Sequence, residues 1–241
     1  MKMTMYELSD PFKDFQNEEG QEWMRTVVSK KGKGLTSFDF MCIFQSYLPA
    51  GTFKECLCYL PHVFEYLTQE GSYDSDVLHN VMWFLSYYKD ALIREGLYET
   101  IRLKLINILN RCCIFRADQH NDLLDYVFES SHMLESLLEY SFGLDLWEYL
   151  KTKDEQWQDE VSYNFVIICL TLDEPWMYDE ENNSVNKQWK SFYSGYRLKR
   201  ITKNCLNYIH LLKKSSVSIH TKLIYYKKLK MLYKKLHLRN D

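Results

Sequence analysis

The chain has 241 residues, enough for one large or two small domains with a sizeable hydrophobic core. Hydrophobic residues make up 46% of it, and only 8 Gly and 4 Pro occur, which excludes a disordered or loop-rich chain. The net charge of −3 hides a strong asymmetry. Residues 187–241 contain fifteen Lys or Arg and one acid (+14), whereas residues 1–186 contain fifteen Lys or Arg and thirty-two acids (−17).

Targeting signals and metal-binding motifs are not evident in the sequence. The N-terminus lacks the apolar segment of a secretory signal, and no run of 18 apolar residues predicts a transmembrane helix. The cysteine count is odd and no zinc-type spacing occurs, so we expect reduced thiols, no metal, no cofactor and a cytoplasmic location. The cysteines are Cys42, Cys56, Cys58, Cys112, Cys113, Cys169 and Cys205.

The first predicted helices are short and apolar. A helix over Glu19–Lys30 precedes a basic turn, and Thr36 or Ser37 caps a second helix that runs towards Pro49. This second helix is apolar nearly all round, which predicts a buried core element. A third helix begins near Phe53, and Pro61 is expected to interrupt it and start a new turn.

Three longer helices are predicted next, from apolar residues that recur every three or four positions. The first covers residues 76–94 with Ser75 as its cap, and the second runs from Leu97 to Cys112. The third starts at Asn121 and runs to Leu138. Glycines at the predicted helix ends act as C-terminal caps. They are Gly71, Gly96 and Gly143.

The segment Asp154–Leu172 is ambiguous, because its second half, Phe165–Leu172, is β-branched enough to form a strand. We favour a helix, since no strand partner is evident. Residues 172–187 combine a proline with acids, Asn and Ser, which predicts a loop between an acidic domain, 1–172, and a basic helical region, 187–241.

The basic region is itself predicted to be helical. Apolar residues are predicted along one side of its last helix, namely Ile219, Leu223, Tyr226, Tyr233 and Leu236. The lysines predicted on the opposite side are Lys227, Lys228, Lys234 and Lys235. Successive helices with short turns and no internal repeat predict a mainly α fold, either an irregular antiparallel multi-helix bundle or a short α-solenoid. The basic region is expected to pack on the acidic one, and a single globular unit is also compatible with the sequence.

Catalytic motifs are missing from the sequence. Glu129 and His132 form a Glu-x-x-His pair of the kind used in di-iron helical bundles, but the required second pair does not occur. The chain also has no Gly-rich phosphate loop, no Gly-x-Ser-x-Gly and no His-Glu-x-x-His. We therefore expect a non-enzymatic protein, and an enzyme without a recognisable motif is the third alternative.

Protein binding is the favoured function. Tryptophans lie among acids in the second half of the acidic domain, and exposed Trp beside complementary charge is typical of interaction surfaces. An inhibitor or immunity-type protein would act through such a surface on a basic partner. The candidate protein-binding residues are Trp147, Trp157, Trp176, Asp179, Glu180 and Glu181.

Nucleic-acid binding is the alternative function. Lysines on a helix face neutralise phosphates, and interleaved tyrosines can stack on bases. A lysine-rich helix also suits an anionic membrane surface, or the acidic part of the same chain. The candidate nucleic-acid-binding residues are Lys227, Lys228, Lys234 and Lys235. The sequence leaves the partner and the oligomeric state open.

Overall fold

A computed structural model shows a mainly α protein, as predicted. It describes residues 6–46, 48–69, 72–114, 123–160, 163–164, 166–167, 185–197, 199–201, 213–214, 218–220, 222–223, 226–227, 230–231 and 234. Within these ranges every regular element is helical and no strand occurs. In the ambiguous stretch Phe165–Leu172, Val166 and Ile167 are helical, while residues 165 and 168–172 lie outside the described residues.

Nine helices have defined bounds in the described part of the chain. They are α1 (Glu18–Lys30), α2 (Ser37–Ile43), α3 (Phe53–Thr68), α4 (Ser75–Tyr87), α5 (Lys89–Arg94), α6 (Tyr98–Cys113), α7 (Leu123–Leu138), α8 (Phe142–Trp157) and α9 (Val185–Phe192).

The chain divides into two compact units, Met1–Ile108 and Leu109–Asp241, with the boundary inside α6. The division predicted from composition, at residues 172–187, falls within the second unit and stays a prediction. In the part of the chain that the structure covers, no helix is both long and apolar enough to cross a membrane.

In the first unit, α2 packs against both α3 and α4. Phe40, Ile43 and Phe44 are buried, and the ring of Phe44 meets Phe84 edge-on at a centroid distance of 5.3 Å. Thr36 caps α2 through a capping box with Asp39, which confirms one of the two predicted cap residues. The helix is nevertheless shorter than predicted: it ends at Ile43, and the Ala50 amide donates back to the Cys42 carbonyl.

The expectation that Pro61 interrupts the third helix is wrong. Helix α3 continues through Pro61 from Phe53 to Thr68. A proline inside a helix costs about 3 kcal/mol, because it removes one backbone hydrogen bond and crowds the preceding turn. Buried side chains on both sides of the proline, among them Leu60 and Val63, provide packing that offsets this cost.

The predicted helix over residues 76–94 is two helices, α4 and α5, joined at Tyr88. Its cap is Asp74 rather than Ser75, since the Asp74 carboxylate accepts from the Val77 amide. The same carboxylate accepts from Tyr66 and from Ser37, so it connects α4 with the ends of α2 and α3.

Two of the three glycines predicted as helix ends can be compared with the structure, and Gly71 is outside it. Gly96 follows α5 with φ +68°, as a C-terminal cap requires. Gly143 does not end a helix but lies in the first turn of α8. A Cβ there would lie 2.6 Å from the carbonyl oxygen of Leu138, so this glycine permits the close turn between α7 and α8.

In the second unit, α8 packs against both α7 and α9. The face of α8 that carries Leu146, Trp147 and Leu150 is buried, and so are Leu134, Leu137 and Leu138 of α7. Helix α9 runs into the predicted basic region and α8 lies in the acidic region, so these two helices are in contact. The division into an acidic domain and a basic region stays a prediction.

Candidate functional site

The two predicted protein-binding tryptophans within the structure are buried, so the expectation of their exposure is wrong. Trp147 has no exposed surface and Trp157 is 8% exposed. The Trp147 ring packs against Trp189 of α9 at 5.2 Å, and its Nε1 donates to Gln188 Oε1 at 3.1 Å. The other four candidates, Trp176, Asp179, Glu180 and Glu181, lie outside the described residues.

The incorrect prediction that Trp147 and Trp157 are exposed has a simple cause. Neighbouring acids such as Asp145 and Glu148 suggested an exposed surface, but helical periodicity separates the faces of α8. Trp147, Leu150, Asp154 and Trp157 follow at steps of three or four residues and are all buried. The pattern predicts the burial of the tryptophans, whereas nothing in it marks Asp154 as different from the acids beside it.

Asp154 is a fully buried carboxylate that holds the start of the basic region on α8. Its Oδ2 accepts from Arg197 Nε at 2.9 Å, and its Oδ1 accepts from Arg200 Nη2 at 2.9 Å. The Tyr163 hydroxyl donates to the same Oδ1 at 2.7 Å, and the Tyr163 and Tyr193 hydroxyls are 2.6 Å apart. We call these five residues the Asp154 cluster.

An exposed rim continues the Asp154 cluster at the surface. Arg197 Nη2 donates to Glu155 Oε1 at 2.9 Å, and the Tyr196 hydroxyl donates to the same oxygen. The Arg197 guanidinium also lies over the Phe192 ring, 4.1 Å from its centroid. Arg197 therefore has three kinds of contact, namely a buried ion pair, an exposed ion pair and a cation–π contact.

Ionisation in the Asp154 cluster follows from this geometry. Burial alone raises the pKa of the Asp154 carboxyl, but the hydrogen bonds from Arg200, Tyr163 and Arg197 outweigh it and hold the pKa below its usual range. Burial raises the pKa of Tyr163, and nearby Tyr193 and Asp154 raise it further. The carboxylate is thus charged, saturated with donors and closed to solvent, which suits a structural ion pair rather than a catalytic acid or base.

The clearest exposed surface is a line of five residues further along the basic region. Ile219, Leu223, Lys227, Lys230 and Lys234 follow at steps of 4, 4, 3 and 4, a spacing that aligns residues along one face of a helix. Each is helical and exposed, with Ile219 79% and Leu223 53% accessible. We call these five residues the 219–234 strip. Its first half is apolar and its second half cationic.

A cavity of about 300 Å³ lies beside the apolar half of the strip. Its lining residues are Lys213, Ile219, Lys222, Leu223 and Tyr226. The ammonium groups of Lys213 and Lys230 lie 5.8 and 5.9 Å from the centre of the Tyr226 ring, within the range of cation–π contacts. The cavity thus combines an apolar and aromatic wall with two lining lysines, Lys213 and Lys222.

The strip also corrects the predicted arrangement of lysines. The prediction places Lys227 and Lys234 on the side opposite Leu223, but steps of 4, 3 and 4 residues align helical residues on one face, and all three side chains are exposed. Their exposure agrees with a binding role. The other two candidates, Lys228 and Lys235, lie outside the described residues.

Other candidate sites are weaker. Among the residues that the structure describes, no group of three His, Cys, Asp or Glu side chains is arranged to hold a metal ion. His132 faces Glu135 at 3.8 Å and is largely exposed. Cys42, Cys56 and Cys112 are free thiols, and burial raises the pKa of Cys112 to about 12. Burial also raises the pKa of Cys58 and Cys113. The last two cysteines, Cys169 and Cys205, are not in the described ranges.

Comparison with known proteins adds no functional constraint. No protein-family model, curated protein or solved structure is significantly similar to this chain.

Proposed function

We propose that this protein is a non-enzymatic interaction protein that binds another protein through the 219–234 strip. The observation that carries the proposal is the joint exposure of Ile219 and Leu223 on one helix face with three lysines. Large apolar side chains grouped on a surface and bordered by charge are typical of interaction sites. This moves the proposed binding surface from the tryptophans of α8 to the basic region.

A protein partner explains both halves of the strip. Apolar side chains gain free energy when a partner removes them from water, and the lysines select an acidic neighbourhood around the contact. Nucleic acid would engage Lys227, Lys230 and Lys234 through its phosphates, but a phosphate backbone offers no apolar surface to Ile219 and Leu223. The exposed lysines keep nucleic acid as the alternative to be tested.

A protein partner also fits the way in which apolar and charged residues are distributed along the strip. A helix that lies on a membrane separates its apolar and charged residues around the helix axis, so that one whole side enters the lipid. In the strip the change occurs along the axis, from Ile219 and Leu223 to Lys227, Lys230 and Lys234. The surface of a partner protein can complement both halves of the strip, with an apolar patch against Ile219 and Leu223 and an acidic patch against the lysines.

The charge of the basic region favours association with an acidic partner. No acid occurs between residues 187 and 240, so the lysines of the strip have no negative charge beside them in the sequence. The field of these positive charges raises association rates and disfavours basic competitors. We further propose a cytoplasmic location, which the free thiols of Cys42, Cys56 and Cys112 support. Inhibition of the partner remains one expected outcome of binding.

Site-specific photo-crosslinking in the native source tests the proposal. Leu223 is replaced with the photo-reactive residue benzoylphenylalanine, and crosslinked products are identified by mass spectrometry after nuclease treatment. We expect one protein to crosslink in good yield. The product should disappear when Lys227→Glu, Lys230→Glu and Lys234→Glu are added, because reversed charge repels an acidic partner.

Leu103 offers a matched control, since it is a leucine on helix α6 with a comparable exposure of 57%. The same photo-reactive residue at Leu103 should not give the product found from Leu223. Identical products from both positions, crosslinks to nucleic acid or lipid alone, or no crosslink at all would each reject the proposed surface.

A further inference from the structure

We propose that the cavity beside the 219–234 strip receives a large apolar side chain from an acidic segment of the partner protein. This inference rests on the proposed function and specifies which kind of segment the surface recognises. The juxtaposition behind it is a wall of Ile219, Leu223 and Tyr226 with Lys213 and Lys222 at the same cavity.

The size and lining of the cavity define the apolar part of the ligand. A volume of about 300 Å³ is at the lower limit of small-molecule sites, and it accommodates one or two side chains rather than a cofactor. Ile219 and Leu223 are one helical turn apart, and Tyr226 follows three residues later, so their side chains lie close together. A leucine or phenylalanine in this position would remove all three from water.

The lysines define the acidic part of the ligand. Lys213 and Lys222 lie at the cavity, and Lys227, Lys230 and Lys234 continue from it along the strip. A segment with carboxylates on both sides of its apolar residue would place negative charge near each of these groups. A basic segment would bring like charges together, which costs free energy and disfavours such partners.

The position of Tyr226 links the binding of the apolar side chain to the binding of the acidic residues around it. Its ring forms part of the apolar wall, and the ammonium groups of Lys213 and Lys230 lie 5.8 and 5.9 Å from the ring centre. An apolar side chain against this ring therefore lies close to two positive charges. Removal of water by the apolar anchor also strengthens the nearby charge pairs.

Binding of short peptides to the full-length chain tests the inference directly. Fluorescein-labelled peptides of sequence EEELFEEE, EEESSEEE and KKKLFKKK are compared by fluorescence anisotropy at low salt. EEELFEEE should bind about tenfold or more tightly than each of the others, because only it carries both the apolar anchor and the acids.

Variants then locate the binding. Tyr226→Ala should weaken EEELFEEE about tenfold by removing the aromatic wall, and it should leave the weaker EEESSEEE largely unchanged. Lys213→Glu with Lys222→Glu should weaken both acidic peptides. The matched controls are Leu103→Ser and Lys104→Glu, two exposed residues of α6 in the first unit, and neither should alter peptide binding.

Several results would overturn the inference. Equal affinity for EEELFEEE and EEESSEEE would show that the cavity takes no apolar anchor, and so would an unchanged affinity in Tyr226→Ala. Binding of phosphatidylserine vesicles or an oligonucleotide without binding of EEELFEEE would assign the surface to lipid or nucleic acid. If no peptide binds while Leu223 still crosslinks to one protein, the inference fails and the proposed function stands.

Discussion

Asp39 in the first unit and Asp154 in the second are both buried carboxylates, but their partners come from different distances along the chain. Asp39 accepts from Trp23 Nε1, Lys30 Nζ and the Thr36 amide, and the most distant of these is 16 residues away. Asp154 accepts from Arg197 and Arg200, 43 and 46 residues away.

The difference shows that one buried carboxylate stabilises local structure, whereas the other stabilises a tertiary contact between distant segments. Asp39 completes the capping box of α2 and ties it to α1, so its contribution is made as soon as two neighbouring helices form. Asp154 draws the start of the basic region onto α8 and must close a long loop to do so, which has an entropic cost. Asp154 therefore joins segments that are distant in sequence, whereas Asp39 stabilises a local arrangement.

The largest effect is expected from removing the carboxylate of Asp154. Asp154→Ala leaves the guanidinium groups of Arg197 and Arg200, whose side chains are 22% and 16% exposed, without their shared counter-charge. Breaking a buried ion pair in this way costs about 3–5 kcal/mol. Urea denaturation followed by tryptophan fluorescence measures the loss, and Trp147 and Trp189 report directly on the contact between α8 and α9.

The neighbouring residue provides the control for this experiment. Glu155 binds the same Arg197 but is 55% exposed, so Glu155→Ala should cost under about 1 kcal/mol. Comparable losses for Asp154→Ala and Glu155→Ala would contradict the role assigned to the buried carboxylate.

A smaller effect is expected for Asp39→Ala in the first unit. The variant loses the capping box and leaves the Trp23 indole without its acceptor, which together cost about 1–3 kcal/mol. Lys30 is 30% exposed and can turn to solvent, so the loss of charge is less severe than at Asp154. A loss that equals or exceeds that of Asp154→Ala would remove the contrast between the two carboxylates.

This contrast also explains how far the fold is predictable from the sequence. The helices and the cap at Thr36 follow from periodicity and local chemistry, which act over a few residues. The continuation of α3 through Pro61, the tight turn at Gly143 and the burial of Asp154 depend on residues distant in sequence or on tertiary packing, which periodicity does not encode. The exposure of Ile219 and Leu223 also depends on tertiary packing. The apolar spacing predicts an apolar helix face, but it does not show whether another helix covers that face.

The pH dependence of stability should distinguish the charge of Asp154 from its shape. Its pKa is lowered in the folded state, so its contribution is fully present above the unfolded pKa of about 3.9 and is lost as the pH falls through the folded value. Asp154→Asn keeps the shape and removes this titration. The free energy of unfolding of the variant should therefore fall less steeply than that of the native protein below about pH 4.

Parallel urea titrations between pH 5 and 3 measure this difference. Asp39→Asn is the comparison, since the pKa of Asp39 is also lowered, with burial opposed by the Thr36 amide, Lys30 and Trp23. Identical slopes in the native protein and Asp154→Asn would show that the carboxylate does not titrate differently on unfolding.

The smallest effect on stability is expected at the 219–234 strip, although the effect on binding there should be large. Lys227→Gln, Lys230→Gln and Lys234→Gln change exposed side chains, and surface substitutions away from caps and buried networks usually alter stability by less than about 0.5 kcal/mol each. The triple variant should thus unfold close to the native midpoint while it loses the Leu223 crosslink. If the midpoint instead falls as far as in Asp154→Ala, these lysines support the fold, and the strip would not be the separate binding surface that its exposure indicates.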